Sequence, residues 1–314
     1  MIPICIFLMG PTASGKTELA VTLVKHLPCD IISVDSAMVY RGMDIGTAKP
    51  TPDILAQAPH RLIDIRDPTE TYSAAQFRND ALIEIQKIQA TGRIPLLVGG
   101  TGLYFRSLQY GLSELPTANP QIRHDLNHKA AEVGWAALHQ RLAEIDPRAA
   151  QRIHPNDAQR IQRALEVYEI TGMAMTDWFA QTTQSIWSTP VIKIILAPIH
   201  RHSYHAKIAN RFHTMLAQGL VEEVRQLFKR QELTLDLPSL RAVGYRQIWR
   251  YLNGEIKKSE LAEQGIIATR QLAKRQLTWL RAETDVQWFD TQSETVEQQV
   301  LKYLGRHLPN SINI

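Results

Sequence analysis

Residues 10–17 read GPTASGKT. A G-x-x-x-x-G-K-[ST] run constrains a chain more than any other stretch here, because it works only between a buried strand and a helix. That context is present: ICIFLM at 4–9 precedes the run and a helical pattern over 18–27 follows. The glycines let the backbone curl so that successive N–H groups and the helix N-terminus converge on one anion. Lys16 adds a point charge, and the Thr17 hydroxyl is suited to hold a magnesium ion against phosphate oxygens. Gly10, Pro11, Thr12, Ala13, Ser14, Gly15, Lys16 and Thr17 are therefore the expected phosphate cradle. Whose phosphates they hold, ATP or another, the loop does not disclose.

The order of the remaining elements predicts an α/β fold built on a parallel sheet. Residues 30–34 (DIISV) form a second buried strand ending at Asp35-Ser36, and ligands of such sheets lie at the strands' carboxyl ends. Asp35 thus belongs at the mouth of the same crevice as the phosphate loop. Residues 40–50 read as a loop, 60–65 as a short strand, 73–90 as a helix with Phe77, Ala81, Ile85 and Ile88 inward, and 93–98 as another strand before the GGTG at 99–102. From 116 to 189 strand patterns give way to helices at 120–133, 135–145 and 157–171, with turns at Gly134, Asp146-Pro147 and Asn156. VIKIILA at 191–197 then rejoins the sheet. The expected organisation is a core of 1–115 and 190–314 with an all-helical insertion at 116–189. The tail from His202 reads as helical throughout, with Ile208, Phe212, Met215 and Leu216 on one stripe and Val221, Val224, Leu227 and Phe228 on the next.

At 314 residues, 44% hydrophobic and 21% charged, this is the balance of a soluble globular protein. No apolar run approaches the roughly 20 residues that span a bilayer, and the first apolar run reads as a core strand, not a signal peptide. Two cysteines without a C-x-x-C argue against disulfides and zinc ribbons and fit a reducing cytoplasm. The net charge of +4 suggests an anionic partner. Basic residues gather on two helices: Arg160 and Arg163 beside Gln159, opposite an inward stripe of Ile161, Ala164, Leu165 and Tyr168, and Arg270, Lys274 and Arg281, opposite Leu272, Ala273, Leu277 and Leu280. Each is either a solvated face or a phosphate-contacting one. Asp35 is the carboxylate best placed for chemistry, its bland alternative being a turn former. Arg211 and His213 flank Phe212, so that one of them can face the crevice. His124 and His128, and His200, His202 and His205, lack a neighbouring acid or thiol pattern and do not read as zinc sites. Trp178, Phe179 and Trp187 read as core of the insertion.

GPTASGKT with SVDSAMVYRGMDIGTAKP (33–50), GGTGLY (99–104), NDAQRIQRALEVYEITG (156–172) and LRAVGYRQ (240–247) closely resembles the bacterial tRNA dimethylallyltransferases over nearly the whole chain. The resemblance implies a P-loop, nucleotide-kinase-like core with an inserted helical domain that grips the anticodon arm. It implies transfer of a dimethylallyl group from dimethylallyl diphosphate to N6 of the adenosine 3′ to the anticodon. The cysteine usage fits a cytoplasmic enzyme, and no long heptad run requires more than a monomer. On this likeness Asp35 is the base, while Lys16, Thr17 with Mg2+ and Arg211 neutralise the departing diphosphate. Asp35, Ser36, Ala37 and Met38 would border the channel of a flipped adenine, with Thr101 and Arg123 near the base. Gln159, Arg160, Ile161, Gln162 and Arg163 would contact the tRNA, as would Leu240, Arg241, Ala242, Val243, Gly244 and Tyr245. The last such stretch is Ala273, Lys274, Arg275, Gln276, Leu277, Thr278, Trp279 and Leu280.

The rival readings are a P-loop small-molecule kinase with Asp35 orienting the acceptor, which leaves the basic helices and the insertion idle, and prenyl transfer to a free adenine nucleotide, which needs little RNA-binding surface. A non-catalytic RNA-binding module has no need of a phosphate loop beside a carboxylate.

Overall fold

The computed structural model describes residues 4–112, 115–181 and 187–308. It falls into two compact units, Met1–Gln109 with Trp187–Ile314, and Tyr110–Ile186.

The first unit opens with β1 (Cys5–Met9), α1 (Lys16–His26), β2 (Cys29–Val34), α2 (Pro52–Gln57), β3 (His60–Arg61), α3 (Ala74–Ala90), β4 (Ile94–Gly99) and α4 (Gly102–Tyr110). The second unit holds α5 (Pro120–Ile145), α6 (Pro147–Arg152), α7 (Ala158–Thr171) and α8 (Met175–Gln181). The chain then returns to the first with β5 (Val191–Ala197), α9 (Arg201–Ala217), α10 (Leu220–Phe228), α11 (Tyr245–Leu252), α12 (Lys258–Leu280), β6 (Val286–Asp290) and α13 (Val296–His307).

The six strands pair in the order β3-β2-β4-β1-β5-β6, every pairing parallel. A parallel sheet is covered on both faces, which is why its inner strands are apolar throughout instead of alternating. Phe7, Met9, Ile32, Val34, Leu97 and Ile195 enter one core; Ile6, Leu8, Ile31, Leu96, Val98 and Ile194 enter the other. Parallel pairing brings the carboxyl ends of β1, β2, β4 and β5 to one edge, where a crevice forms. No helix among the described residues is long and apolar enough to cross a membrane.

Three expectations for this unit are corrected. The strand expected over 60–65 stops at Arg61, because Leu62 and Asp64 take left-handed φ angles of 62° and 55°. The tail is not all helical: β6 pairs with β5 at the sheet edge, and its polar VQWFD pattern, with Gln287 and Trp288 exposed, hid a strand covered on one face. Trp187 packs against Phe7 with ring centroids 5.8 Å apart, so it belongs to the sheet unit and not to the insertion.

In the second unit Leu126, Leu138, Leu142, Ile161 and Leu165 form the core. The helices expected over 120–133 and 135–145 run on as α5 with a break at Gly134, whose φ of 82° suits a residue without a Cβ. On α7, Glu166 and Val167 are buried while Tyr168 is only half-buried. The expected stripe therefore shifts, because Glu166 finds enough partners inside. His124 and His128 do have acids beside them, Asp125 and Glu132, but as separate exposed pairs.

Candidate functional site: a phosphate loop and a carboxylate in one cleft

Thr12 to Thr17, Asp35 to Met38, Gly46 to Pro50, Gly99 to Thr101, Arg211, Arg241 to Val243 and Arg275-Gln276 line one cleft of about 820 Å³, all within the first unit. The loop after β1 curls through left-handed residues at Ala13 (φ 60°) and Gly15 (φ 87°). The Ala13 conformation costs a non-glycine residue about 1–2 kcal/mol, which the closed loop geometry must offset. Gly10 and Pro11 do not line the cleft, correcting their place in the cradle. Any side chain at Gly10 would collide with the Leu196 carbonyl of β5, and Pro11 has no N–H to offer. Thr12 reaches the cleft, but its N–H already donates to Gln276 Oε1 at 2.8 Å, which leaves the amides from Ala13 onward as the candidates for an anion.

Lys16 Nζ donates to Pro11 O at 2.7 Å and reaches Ser14 Oγ at 3.4 Å. Burial, then the nearby Arg211, lower its pKa to about 7. Arg211 is brought in by α9, whose Ile208, Phe212 and Met215 are buried; burial lowers its pKa as well, opposed by Glu18 and Asp35. Two cations whose charged forms are disfavoured by burial, and at Lys16 also by the charge of Arg211, suit an anionic ligand. Lys207, one turn before Arg211 and exposed, lines the same cleft. His213 is exposed and is not among the lining residues. Thr17 lines the cleft at the start of α1.

Asp35 follows β2 and lines the same cleft as the loop. Its Oδ1 accepts from the N–H groups of Ala37 (2.8 Å) and Met38 (3.2 Å). The turn-forming role and the chemical role are therefore compatible, since the turn is what orients the carboxylate. Thr101 Oγ1 accepts from Ser36 N at 3.2 Å, tying the turn after β2 to the loop after β4. That loop needs glycine: a side chain at Gly99 would overlap the Val34 carbonyl.

Residues 44–46, which lead into the lining stretch from Gly46 to Pro50, are held by Glu223 of α10. Its carboxylate accepts from the N–H groups of Asp44 (3.0 Å), Ile45 (2.8 Å) and Gly46 (3.2 Å), and from Tyr245 Oη at 2.5 Å. Nothing in the spacing of α10 distinguishes Glu223 from a solvated helix acid, and only the fold brings it to this loop.

Several residues expected to touch RNA are corrected by burial. Leu240 and Tyr245 are fully buried, Tyr245 bracing Glu223, and Ala273 and Leu280 pack inward from α12. Gln276 spends its amide on backbone groups of the site. Leu277 is half-buried, whereas Lys274, Arg275, Thr278 and Trp279 are exposed. Gly244 is buried, Arg241 exposed.

In the second unit, considered by itself, Ile161 is fully buried while Gln159 and Arg160 are exposed. Gln162 bonds Asn127 Oδ1 at 2.7 Å. The buried Glu166 accepts from Arg123 Nε (2.8 Å), Arg163 Nη1 (2.6 Å) and Asn119 N (2.8 Å). Burial alone would raise its pKa, yet these donors hold it below the ordinary glutamate value. The result is a pair of fixed, half-exposed guanidinium groups.

A family model described as IPP transferase matches residues 38–283, a span that begins just after Asp35. Among solved structures, the full-length tRNA isopentenylpyrophosphate transferase of Bacillus halodurans is 36% identical over 98% of this chain and 96% of its own, with a TM-score of 0.71. The tRNA delta(2)-isopentenylpyrophosphate transferase of Staphylococcus epidermidis is 31% identical, covering 98% of this chain and 100% of its own at a TM-score of 0.67. A eukaryotic dimethylallyltransferase acting on tRNA shares the fold, with a TM-score of 0.81 at 23% identity over 97% of this chain and 79% of its own.

Proposed function

Because the chain belongs to the IPP transferase family, we propose that it is a tRNA prenyltransferase that moves a dimethylallyl group from dimethylallyl diphosphate to N6 of the adenosine 3′ to the anticodon, releasing diphosphate. The observation that carries this reading is the cleft itself, which is lined by a phosphate loop with two desolvated cations and by an oriented carboxylate.

The exocyclic amine of adenine is a weak nucleophile, its lone pair being delocalised into the ring. A base must remove its proton as the bond to carbon forms, and Asp35 is the carboxylate in reach of such an acceptor. The bond that breaks joins the allylic carbon to the diphosphate oxygen, whose growing charge Lys16, Arg211 and the loop amides neutralise. Direct displacement suits a carboxylate and a cation cluster in one cleft. The adenine reaches the cleft only if flipped from its stack, at a few kcal/mol recovered through phosphate and stacking contacts.

Among the described residues no cluster of three or more His, Cys, Asp or Glu could hold a metal. That suits magnesium, which keeps substrate oxygens and water as most of its ligands. Thr17 would hold it, and when bound it would add further neutralisation of the leaving diphosphate.

The test is transfer of radiolabel from dimethylallyl diphosphate, with magnesium, to unmodified tRNA carrying adenosine after the anticodon, with AMP as parallel acceptor and ATP as parallel donor. Label in tRNA and not in AMP is expected. Label in AMP alone would move the activity to free nucleotides, and phosphoryl transfer from ATP without prenyl transfer would overturn the reading.

A further inference from the structure

Gln276, expected from the sequence to touch RNA, is instead tied to two loops of the cleft at once. Its Oε1 accepts from Thr12 N at 2.8 Å, and its Nε2 donates to Gly100 O at 3.0 Å. A Cβ at Gly100 would overlap the Gln276 amide nitrogen where it stands, so this placement of the amide is tied to the bare backbone of that loop. Thr12 is held from its other side as well: the buried Tyr204 of α9 donates its hydroxyl to Thr12 O at 2.6 Å. Both backbone groups of the residue that opens the phosphate loop are thus gripped by side chains nearly 200 and more residues away. From Gly100 the connection continues, since Thr101 Oγ1 accepts from Ser36 N and Asp35 shapes the same turn.

Building on the proposed function, we infer that Gln276 is a positioning residue that couples the diphosphate cradle to the turn carrying Asp35, with Tyr204 bracing the cradle alone. An amide is the side chain suited to this place, since it must accept from one backbone N–H and donate to one backbone carbonyl. A carboxylate could serve Thr12 but not Gly100. The reaction needs the leaving diphosphate and the proton acceptor at fixed separation, and small misplacement of either is costly. A connection through one rigid amide to both loops sets that separation.

The experiment compares full-length wild type, Tyr204→Phe and Gln276→Met. Three readings are taken: the dissociation constant of inorganic diphosphate with magnesium by calorimetry, hydrogen exchange over 33–40 and 98–104, and steady-state prenyl transfer. Loss of one or two hydrogen bonds should weaken diphosphate binding about three- to tenfold in both variants. Only Gln276→Met should also speed exchange at Ser36, and it should lower kcat at saturating donor and tRNA by about tenfold, a larger drop than in Tyr204→Phe. A Gln276→Met protein that raises KM for tRNA alone, with diphosphate affinity and Ser36 exchange at wild-type values, would overturn the inference in favour of an RNA contact. Unchanged diphosphate affinity in Tyr204→Phe would overturn the bracing role. Should Gln276→Met fail to fold, Gln276→Glu, which keeps the Thr12 acceptor, must still speed exchange at Ser36 for the coupling to stand. If wild type binds diphosphate yet transfers no prenyl group, the functional reading fails, while the binding and exchange readings still decide the clamp.

Discussion

Asp35 and Lys16 share a cleft but are prepared for opposite proton duties. In the proposed mechanism Asp35 accepts a proton from the acceptor amine, so Asp35→Ala should lower kcat by about 10²- to 10⁴-fold while leaving tRNA affinity within about twofold. A filter-binding titration beside the transfer assay checks both halves, and loss of binding would return Asp35 to a purely structural role. Lys16 must carry its proton to hold an anion, yet burial and Arg211 bring its pKa down to about 7. The protonated form is therefore the binding form, and it is depleted as pH rises above about 7. Diphosphate affinity should fall from pH 7 to 9, by at most about tenfold per pH unit for one proton taken up. Calorimetry across that range checks the slope; Lys16→Arg, which stays charged throughout, should flatten it even if its affinity at pH 7 is lower.

At the scale of elements, the packing of α9 against α12 determines where Arg211 stands. Gly265 lets the two helices approach, for a Cβ there would lie 1.9 Å from Phe212 Cζ. Gly265→Ala consequently opposes two effects. Helix propensity favours alanine by about 1 kcal/mol, whereas overpacking of a buried contact costs about 1–3 kcal/mol and forces the helices apart. We expect net destabilisation together with a rise in the diphosphate dissociation constant, because Phe212 neighbours Arg211 on α9. A chemical melt combined with calorimetry tests this, and a stabilised protein with unchanged affinity would show that α9 is not held in place by that contact. Such close contact between helices could not be read from their sequences. The apolar stripe of α9 announced that Ile208, Phe212 and Met215 face inward, but not what they face.

For the whole molecule, the net charge of +4 and the exposed basic residues lead us to expect that the proposed RNA substrate is held largely through its phosphate charge. Affinity for tRNA should then weaken by at least about tenfold between 0.05 and 0.2 M salt, measured by filter binding, whereas a protein that modifies free nucleotides would show no such slope for RNA. How much of all this was legible beforehand follows from the range of each interaction. The phosphate loop, the strands β1, β2, β4 and β5, the helical insertion and the crevice position of Asp35 were readable from local sequence. Each depends on backbone conformation and apolar periodicity within about ten neighbouring residues. The edge strand β6 and the early end of β3 were not, since a half-covered strand lacks an apolar run and left-handed φ angles at Leu62 and Asp64 have no reliable local signal. Nor could the sequence distinguish residues that face a ligand from those that hold such residues in place. Leu240, Tyr245, Ala273 and Gln276 stand in the same motif blocks as Arg241 and Arg275, and only tertiary packing buried the first three and spent the Gln276 amide on Thr12 and Gly100. The sequence by itself determined which backbone could bind phosphate and which carboxylate would stand near it, because those follow from local geometry. The tertiary structure alone decided which distant side chains, Glu223, Tyr204 and Gln276, hold those loops still, because hydrogen bonds across so many residues exist only once the sheet has assembled.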